Sequence, residues 1–190
     1  MTTAMTDPME TLKTTWGHAT RGGALIPLLV DGLLVTLGGA LSLGILLPPL
    51  LLGYTAMSLR VVRGEPVAMG DSFAGLKRFV DAWVLGLACL CLIAVGSIAL
   101  GIGALVASFL LTYTLCVAVD EPGLGVVDVV KRSFAMAWDH WPDTLLLWAV
   151  TVVLGAVLSA TVVGSVVALA FGWVMTAVIY LRHRQALVRS

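Results

Sequence analysis

Residues 82–119 read AWVLGLACLCLIAVGSIALGIGALVASFLLTYTLCVAV, 38 positions without an Asp, Glu, Lys or Arg. Residues 144–181 form a second charge-free block of 38, and residues 22–59 a third in which Asp31 is the one charge. Wound as a single α-helix at roughly 1.5 Å per residue, such a block reaches ~57 Å, against a bilayer hydrocarbon core of ~30 Å. Each block is too long for one crossing and suited to two short ones. Backbone polar groups find no water in lipid, so paired helices joined by a tight turn are the expected form. Breakers fall near each midpoint: Gly44 and Pro48-Pro49, then Gly96-Ser97 and Gly101-Ile102-Gly103, then Thr161 to Ser165 with Gly164. The expectation is all-α: a polytopic transmembrane helical bundle of three helical hairpins, 22–62, 80–119 and 142–181. Six short spans then make a single transmembrane domain over 22–181. A cytoplasmic amphipathic segment, 1–21, precedes it and a basic cytoplasmic tail, 182–190, follows.

Composition agrees. Hydrophobic residues make up 59% of the 190 and charged residues 12%, where soluble domains carry ~45–50% and ~25%. That excludes a disordered chain and argues against a soluble globular one. Eleven basic residues balance eleven acidic ones, so net charge points to no nucleic-acid partner and no acidic substrate. Cys89, Cys91 and Cys116 lie in apolar runs without metal or redox spacing. The first apolar run outlasts the ~7–15-residue core of a signal peptide, so cleavage is not expected.

With six crossings, the N-terminus, residues 60–81, residues 120–143 and the C-terminus share one side. Those segments hold every basic residue: Lys13, Arg21, Arg60, Arg63, Lys77, Arg78, Lys131, Arg132, Arg182, Arg184 and Arg189. Lys and Arg are retained on the cytoplasmic side during insertion. The chain is therefore expected in a bacterial inner membrane with both termini cytoplasmic. A rival threading keeps Leu50 to Val62 out of the membrane as a surface segment, and strands Lys13 and Arg21 opposite the other basic residues. Trp16, Trp83, Trp138, Trp141, Trp148, Trp173 and Tyr180 sit in or near the basic segments, as headgroup-level anchors do.

Three basic stretches carry apolar residues at helical spacing: Met9, Leu12, Trp16 and Ala19; Phe73, Leu76, Val80 and Trp83; Val127, Val130, Phe134, Trp138 and Trp141. Such faces predict amphipathic helices in the headgroup layer. Lys13, Arg21, Lys77, Arg78, Lys131 and Arg132 then become candidate contacts to anionic lipid or a partner. The blocks begin at 22, 82 and 144, which suggests a surface helix plus hairpin used three times, or merely even loop lengths.

Asp31 is the candidate for intramembrane chemistry. A charge near the bilayer centre costs ~2.5–3.5 kcal/mol and demands a partner or a proton. Depth matching offers Tyr54 if the first turn centres near residue 43, and Arg60 if it lies nearer Ile45. One reading is a proton or cation site; the other is a buried acid that fixes hairpin packing. Small and hydroxyl residues recur at four-residue spacing in Gly38–Ser42, Ser97–Gly101, Ser108–Thr112 and Gly155–Ser159. They suit close helix packing, or a polar lining through Ser97, Ser108 and Thr112. Asp139-His140-Trp141-Pro142-Asp143 reads as a solvated interfacial loop, since it lacks metal-ligand spacing.

Pro49, Gly53-Tyr54, Leu59-Arg60, Arg63-Gly64-Glu65 and Asp71-Ser72-Phe73 together resemble a group of uncharacterised bacterial integral membrane proteins. Its relatives include the membrane portion fused to some glycerophosphodiester phosphodiesterases. Asp120-Glu121, then Val127 to Ser133 leading into Trp138, fit the same pattern. The resemblance covers about 24–181 and implies a polytopic inner-membrane protein; the soluble phosphodiesterase domain and its acidic metal cluster have no counterpart here. No catalytic residue, metal or cofactor is expected. The functional expectation is a non-enzymatic structural or accessory subunit, partnered by the lipid bilayer and by copies of itself (a homo-oligomer) or another membrane protein. The alternative is a small transporter or channel working through Asp31. An intramembrane lipid enzyme is a third reading, with only Asp31 to draw on.

Overall fold

A computed structural model describes residues 8–98, 102–158 and 161–189, and among these every regular element is helical. In chain order they are α1 (Pro8–Thr20), α2 (Leu25–Leu41), α3 (Leu47–Arg63), α4 (Phe79–Ile98), α5 (Ile102–Leu110), α6 (Thr114–Asp120), α7 (Val126–Asp139), α8 (Trp141–Leu158) and α9 (Val162–Arg189). Short 3-10 segments, Arg21–Gly23 and Asp71–Arg78, lead into α2 and α4. Four stretches are long and apolar enough to cross a membrane: Asp71–Ile98, Gly103–Asp120, Trp141–Leu158 and Val163–Gln185. A fifth joins them if α1 and α2, bent by 100° at their junction, act as one broken span. Helix length and apolarity thus carry four or five spans. Neither α2 nor α3, of 17 residues each, is by itself among these stretches, so the first block does not supply the two spans expected of it by this measure.

The apolar surfaces of α4 and α8 face outward. Of α4 only Ala82 and Leu85 are buried, and of α8 only Thr144 and Leu147. That is the pattern of helices solvated by lipid, where a continuous apolar coat is required and inward contacts are few. At the far end of the pair, α4 and α5 meet backbone to backbone: a Cβ on Gly96 would lie 2.5 Å from the Gly103 carbonyl oxygen. The turn between them, with Gly101, and Ser159 before α9 lie outside the described residues.

α3 is the opposite case. Ten of its residues are buried, among them Leu50, Tyr54, Met57 and Leu59, and it packs against α2, α4, α6, α9 and the 3-10 helix. Leu50 to Val62, the segment on which the two threadings differ, is thus a helix packed among other helices and not one lying alone on a surface. A helix wrapped by other helices can carry hydroxyls. Thr55 donates to the Leu51 carbonyl at 2.8 Å and Ser58 to the Tyr54 carbonyl at 2.9 Å, so neither is left unpaired.

The connector after α3 folds back onto it. A Cβ on Gly53 would lie 1.8 Å from the Ser72 carbonyl oxygen, and one on Gly75 1.9 Å from that of Pro49. Only two glycines allow this approach. Residues 71–78 are thus a 3-10 helix pressed on α3 and continuous with α4, where the sequence predicted an amphipathic helix lying in the headgroup layer. Trp83 then donates its indole N–H to the Ile45 carbonyl at 2.9 Å, tying α4 to the α2–α3 turn.

α1 and α7 do form as helices. Met9 and Trp16, 61% and 59% exposed, point away from the protein, while Thr11, Thr15 and Ala19 are buried beneath. On α7, Val127, Trp138 and neighbouring Trp141 are exposed, whereas Val129, Ser133, Met136 and Ala137 are buried. The expected apolar faces are therefore divided: Met9, Trp16, Val127 and Trp138 are exposed, whereas Ala19 is buried and Leu12 and Val130 pack against the core. α9 runs on to Arg189, so residues 182–189 of the expected basic tail continue that helix.

Candidate functional site

Asp31 is fully buried on α2, and its partners are backbone amides. Gly70 N–H donates to Oδ1 at 2.6 Å and Ser72 N–H to Oδ2 at 2.9 Å. The carboxylate grips the start of the 3-10 helix, where unpaired amides and the helix dipole favour a negative group. Charge-assisted bonds of this kind are among the stronger ones in proteins. Neither expected side-chain partner takes it. Tyr54 donates its hydroxyl to the Leu28 carbonyl at 2.9 Å. Arg60 pairs with Asp71 at 2.9 Å and Glu65 at 3.5 Å. Acids five and eleven residues along the chain reach Arg60 first, so depth matching within the hairpin misassigned it.

The hydroxyls expected to line one path are separated. Ser97 is exposed and donates to the Ile93 carbonyl. Ser108 donates to the Leu105 carbonyl and accepts the Trp148 indole N–H at 3.2 Å. Thr112, which bonds the Phe109 carbonyl at 2.7 Å, borders a cavity of about 290 Å³ shared with Thr55, Thr151, Thr176, Trp148 and Trp173. The Gly38 pair packs internally on Leu50, whereas a Cβ on Gly155 would meet nothing within 4 Å.

Of the six basic contact candidates, Lys13, Arg21, Lys77, Lys131 and Arg132 are exposed. Arg78 is engaged by the Ala118 carbonyl at 3.0 Å and by Asp81, and Arg132 by Glu121 at 3.1 Å.

The densest charged cluster was not among the expected sites. Asp120, at the end of α6 and 5% exposed in its side chain, holds Arg63 of α3 and Arg184 of α9, and accepts the Tyr180 hydroxyl at 3.0 Å. Three helix ends are clamped by one carboxylate. Next to them Arg182 reaches Thr14 of α1 at 3.5 Å. Burial first, then Arg21 and Arg182, hold the His18 imidazole below its ordinary pKa, so it is neutral at pH 7. The sequence signal was an Asp closing a charge-free block, in a chain where Arg63 and Arg184 lie just past the ends of the other two.

A second cluster joins α6, α8 and α9. The Tyr113 hydroxyl lies 3.1 Å from that of Thr144, which itself donates to the His140 carbonyl. His183 faces Asp143 at 3.4 Å, and its ring centroid is 4.0 Å from that of His140. Residues 139–143 thus run from the last residue of α7 into the start of α8, and His140 and Asp143 engage α9, where a solvated loop was expected. Among the described residues no group of three or more His, Cys, Asp or Glu is placed to hold a metal ion.

Set against protein-family models, curated proteins and solved structures, the chain matches none of them. Function is argued from the geometry alone.

Proposed function

We propose that this chain is a non-enzymatic polytopic membrane protein that serves as a structural or accessory subunit of a membrane assembly. The observation that carries this reading is the outer face of α8. Two of its 18 residues are buried, and Gly155 offers open space to an approaching helix. Small residues let helix backbones come close in lipid. Asp31, whose two oxygens are both occupied by backbone amides, argues for packing over transport. In this reading the chain crosses a bacterial inner membrane six times and belongs with the uncharacterised integral membrane proteins it resembles. Contact between Thr14 and Arg182 supports termini on one side, and the basic residues make that side cytoplasmic.

Gentle extraction followed by mass measurement tests the proposal. The expected particle exceeds one 19.9 kDa chain, and Gly155→Leu shrinks it while leaving the helical content intact. A clean monomer that carries no other protein refutes the assembly role. A transporter is the second reading, favoured by the hydroxyl-lined cavity around Thr55 and Thr112. It requires solute flux in reconstituted vesicles that Thr112→Val reduces.

A further inference from the structure

A cavity of about 710 Å³ opens between α1, the end of α3 and the last turns of α9. Its size falls in the ~300–1,000 Å³ range of small-molecule sites. Arg63, Arg182, Arg184 and His18 line it, with Val62 and Leu181 among the apolar wall. Charge here is out of balance. Arg63 and Arg184 share the carboxylate of Asp120, while among the described residues Arg182 has no carboxylate and reaches only Thr14. Three guanidiniums therefore face one carboxylate, an excess of two positive charges. Partly desolvated charges without a counter-charge are costly, and the planar guanidinium fork matches phosphate oxygens. A phosphate monoester carries about −1.5 to −2 charges at neutral pH, which cancels the excess. His18 adds a further group: its buried Nδ1 has no hydrogen-bond partner among the described residues.

We propose that this cavity binds a phosphate group, borne either by an anionic lipid headgroup or by a small free phosphate ester. The site stands whether or not the chain assembles with others. Arg182 is the decisive residue, because it is the guanidinium not already committed to Asp120. Bound phosphate also places negative charge beside His18, and so raises the imidazole pKa from its depressed value.

The test uses the full-length chain in mild detergent and in nanodiscs. In the first arm, inorganic phosphate and glycerol phosphate are titrated by calorimetry, with the His18 imidazole followed by nitrogen NMR. In the second, nanodiscs of phosphatidylcholine alone are compared with nanodiscs containing phosphatidic acid, by thermal stability and lipid retention. Saturable binding in the first arm identifies a free phosphate ester. A response confined to phosphatidic acid identifies a lipid headgroup. In whichever arm responds, Arg182→Gln is expected to weaken binding about tenfold or more, and Arg182→Lys by less, since it keeps charge and loses the fork. The Lys variant carries the test if the Gln variant does not fold. No response in either arm, or a response that both variants leave unchanged, overturns the proposal.

Discussion

Asp31→Asn preserves the shape of the side chain and removes its charge at the point where α2 grips the connector. The carboxylate now accepts one N–H on each oxygen, from Gly70 at 2.6 Å and Ser72 at 2.9 Å. An amide offers one acceptor oxygen and an NH₂, so one of the two backbone donors is left facing another donor. Hydrogen bonds to charged groups contribute ~1.5–3 kcal/mol, neutral ones ~0.5–1.5, and an unsatisfied buried donor costs ~1–3. Weakening one bond and orphaning the other therefore costs about 2–4 kcal/mol. For a chain of this size that lowers the melting temperature by about 10 °C. Thermal unfolding in detergent reads the total, and hydrogen exchange at Gly70 and Ser72 reads the site. Unchanged melting together with unchanged protection of those two amides would refute the pin, and would free Asp31 for a role in transport.

The same contact predicts that Gly53→Ala is costly, by about 3 kcal/mol, because its Cβ meets the Ser72 carbonyl and neither backbone can yield cheaply. Gly155→Ala, with open space around it, stabilises the chain by up to ~1 kcal/mol; chemical unfolding of the two variants compares them directly. Asp120→Asn releases two arginines whose side chains are 34% and 41% exposed, so solvent screening holds the loss near ~2 kcal/mol, below the ~3–5 of a fully buried pair. That variant also binds phosphate more tightly, a change opposite in sign to its stability. His18 gives a pH dependence. Its folded pKa lies below the unfolded ~6.5, so the unfolded chain takes up protons first and docking of α1 weakens as pH falls through 6.5. Proton exchange of α1 amides at pH 7.5 and 5.5 measures this, and His18→Gln flattens it.

What the sequence made legible was what lipid itself dictates. α4 and α8 must present an unbroken apolar coat, so their charge-free runs announce them. α3 is buried among helices, tolerates Gly53, Thr55 and Ser58, and leaves a weaker trace in composition. The need for a partner at Asp31 was readable from the cost of burying a charge. Its identity was not, because backbone amides are present at every position and only the fold of the connector delivers two of them. Arg60 shows the converse: Glu65 and Asp71 stood close in sequence as its partners, and matching depths across a hairpin that was assumed straight pointed elsewhere. The cavity at the chain ends was not legible because it joins residues 14, 18, 63 and 182, which no local pattern relates.

Asp31 and Asp120 resolve the same physical problem with different consequences. Asp31 is satisfied by neutral donors, so the α2–connector junction keeps one buried negative charge offset by oriented amides, and its surroundings have no surplus to offer a ligand. Asp120 is satisfied by two cations, which together bring one more positive charge than it can cancel. A chain that sums to zero net charge can thus hold a local excess, displaced to the end where α1, α3 and α9 meet. Arg63 and Arg184 line the cavity together with Arg182, whereas Asp120, 5% exposed, is not among its lining residues. Charge at this end is therefore arranged to receive an anion, whereas charge at Asp31 is arranged to be closed. The proposed phosphate belongs at the former, and substitutions at the latter are expected to act through folding.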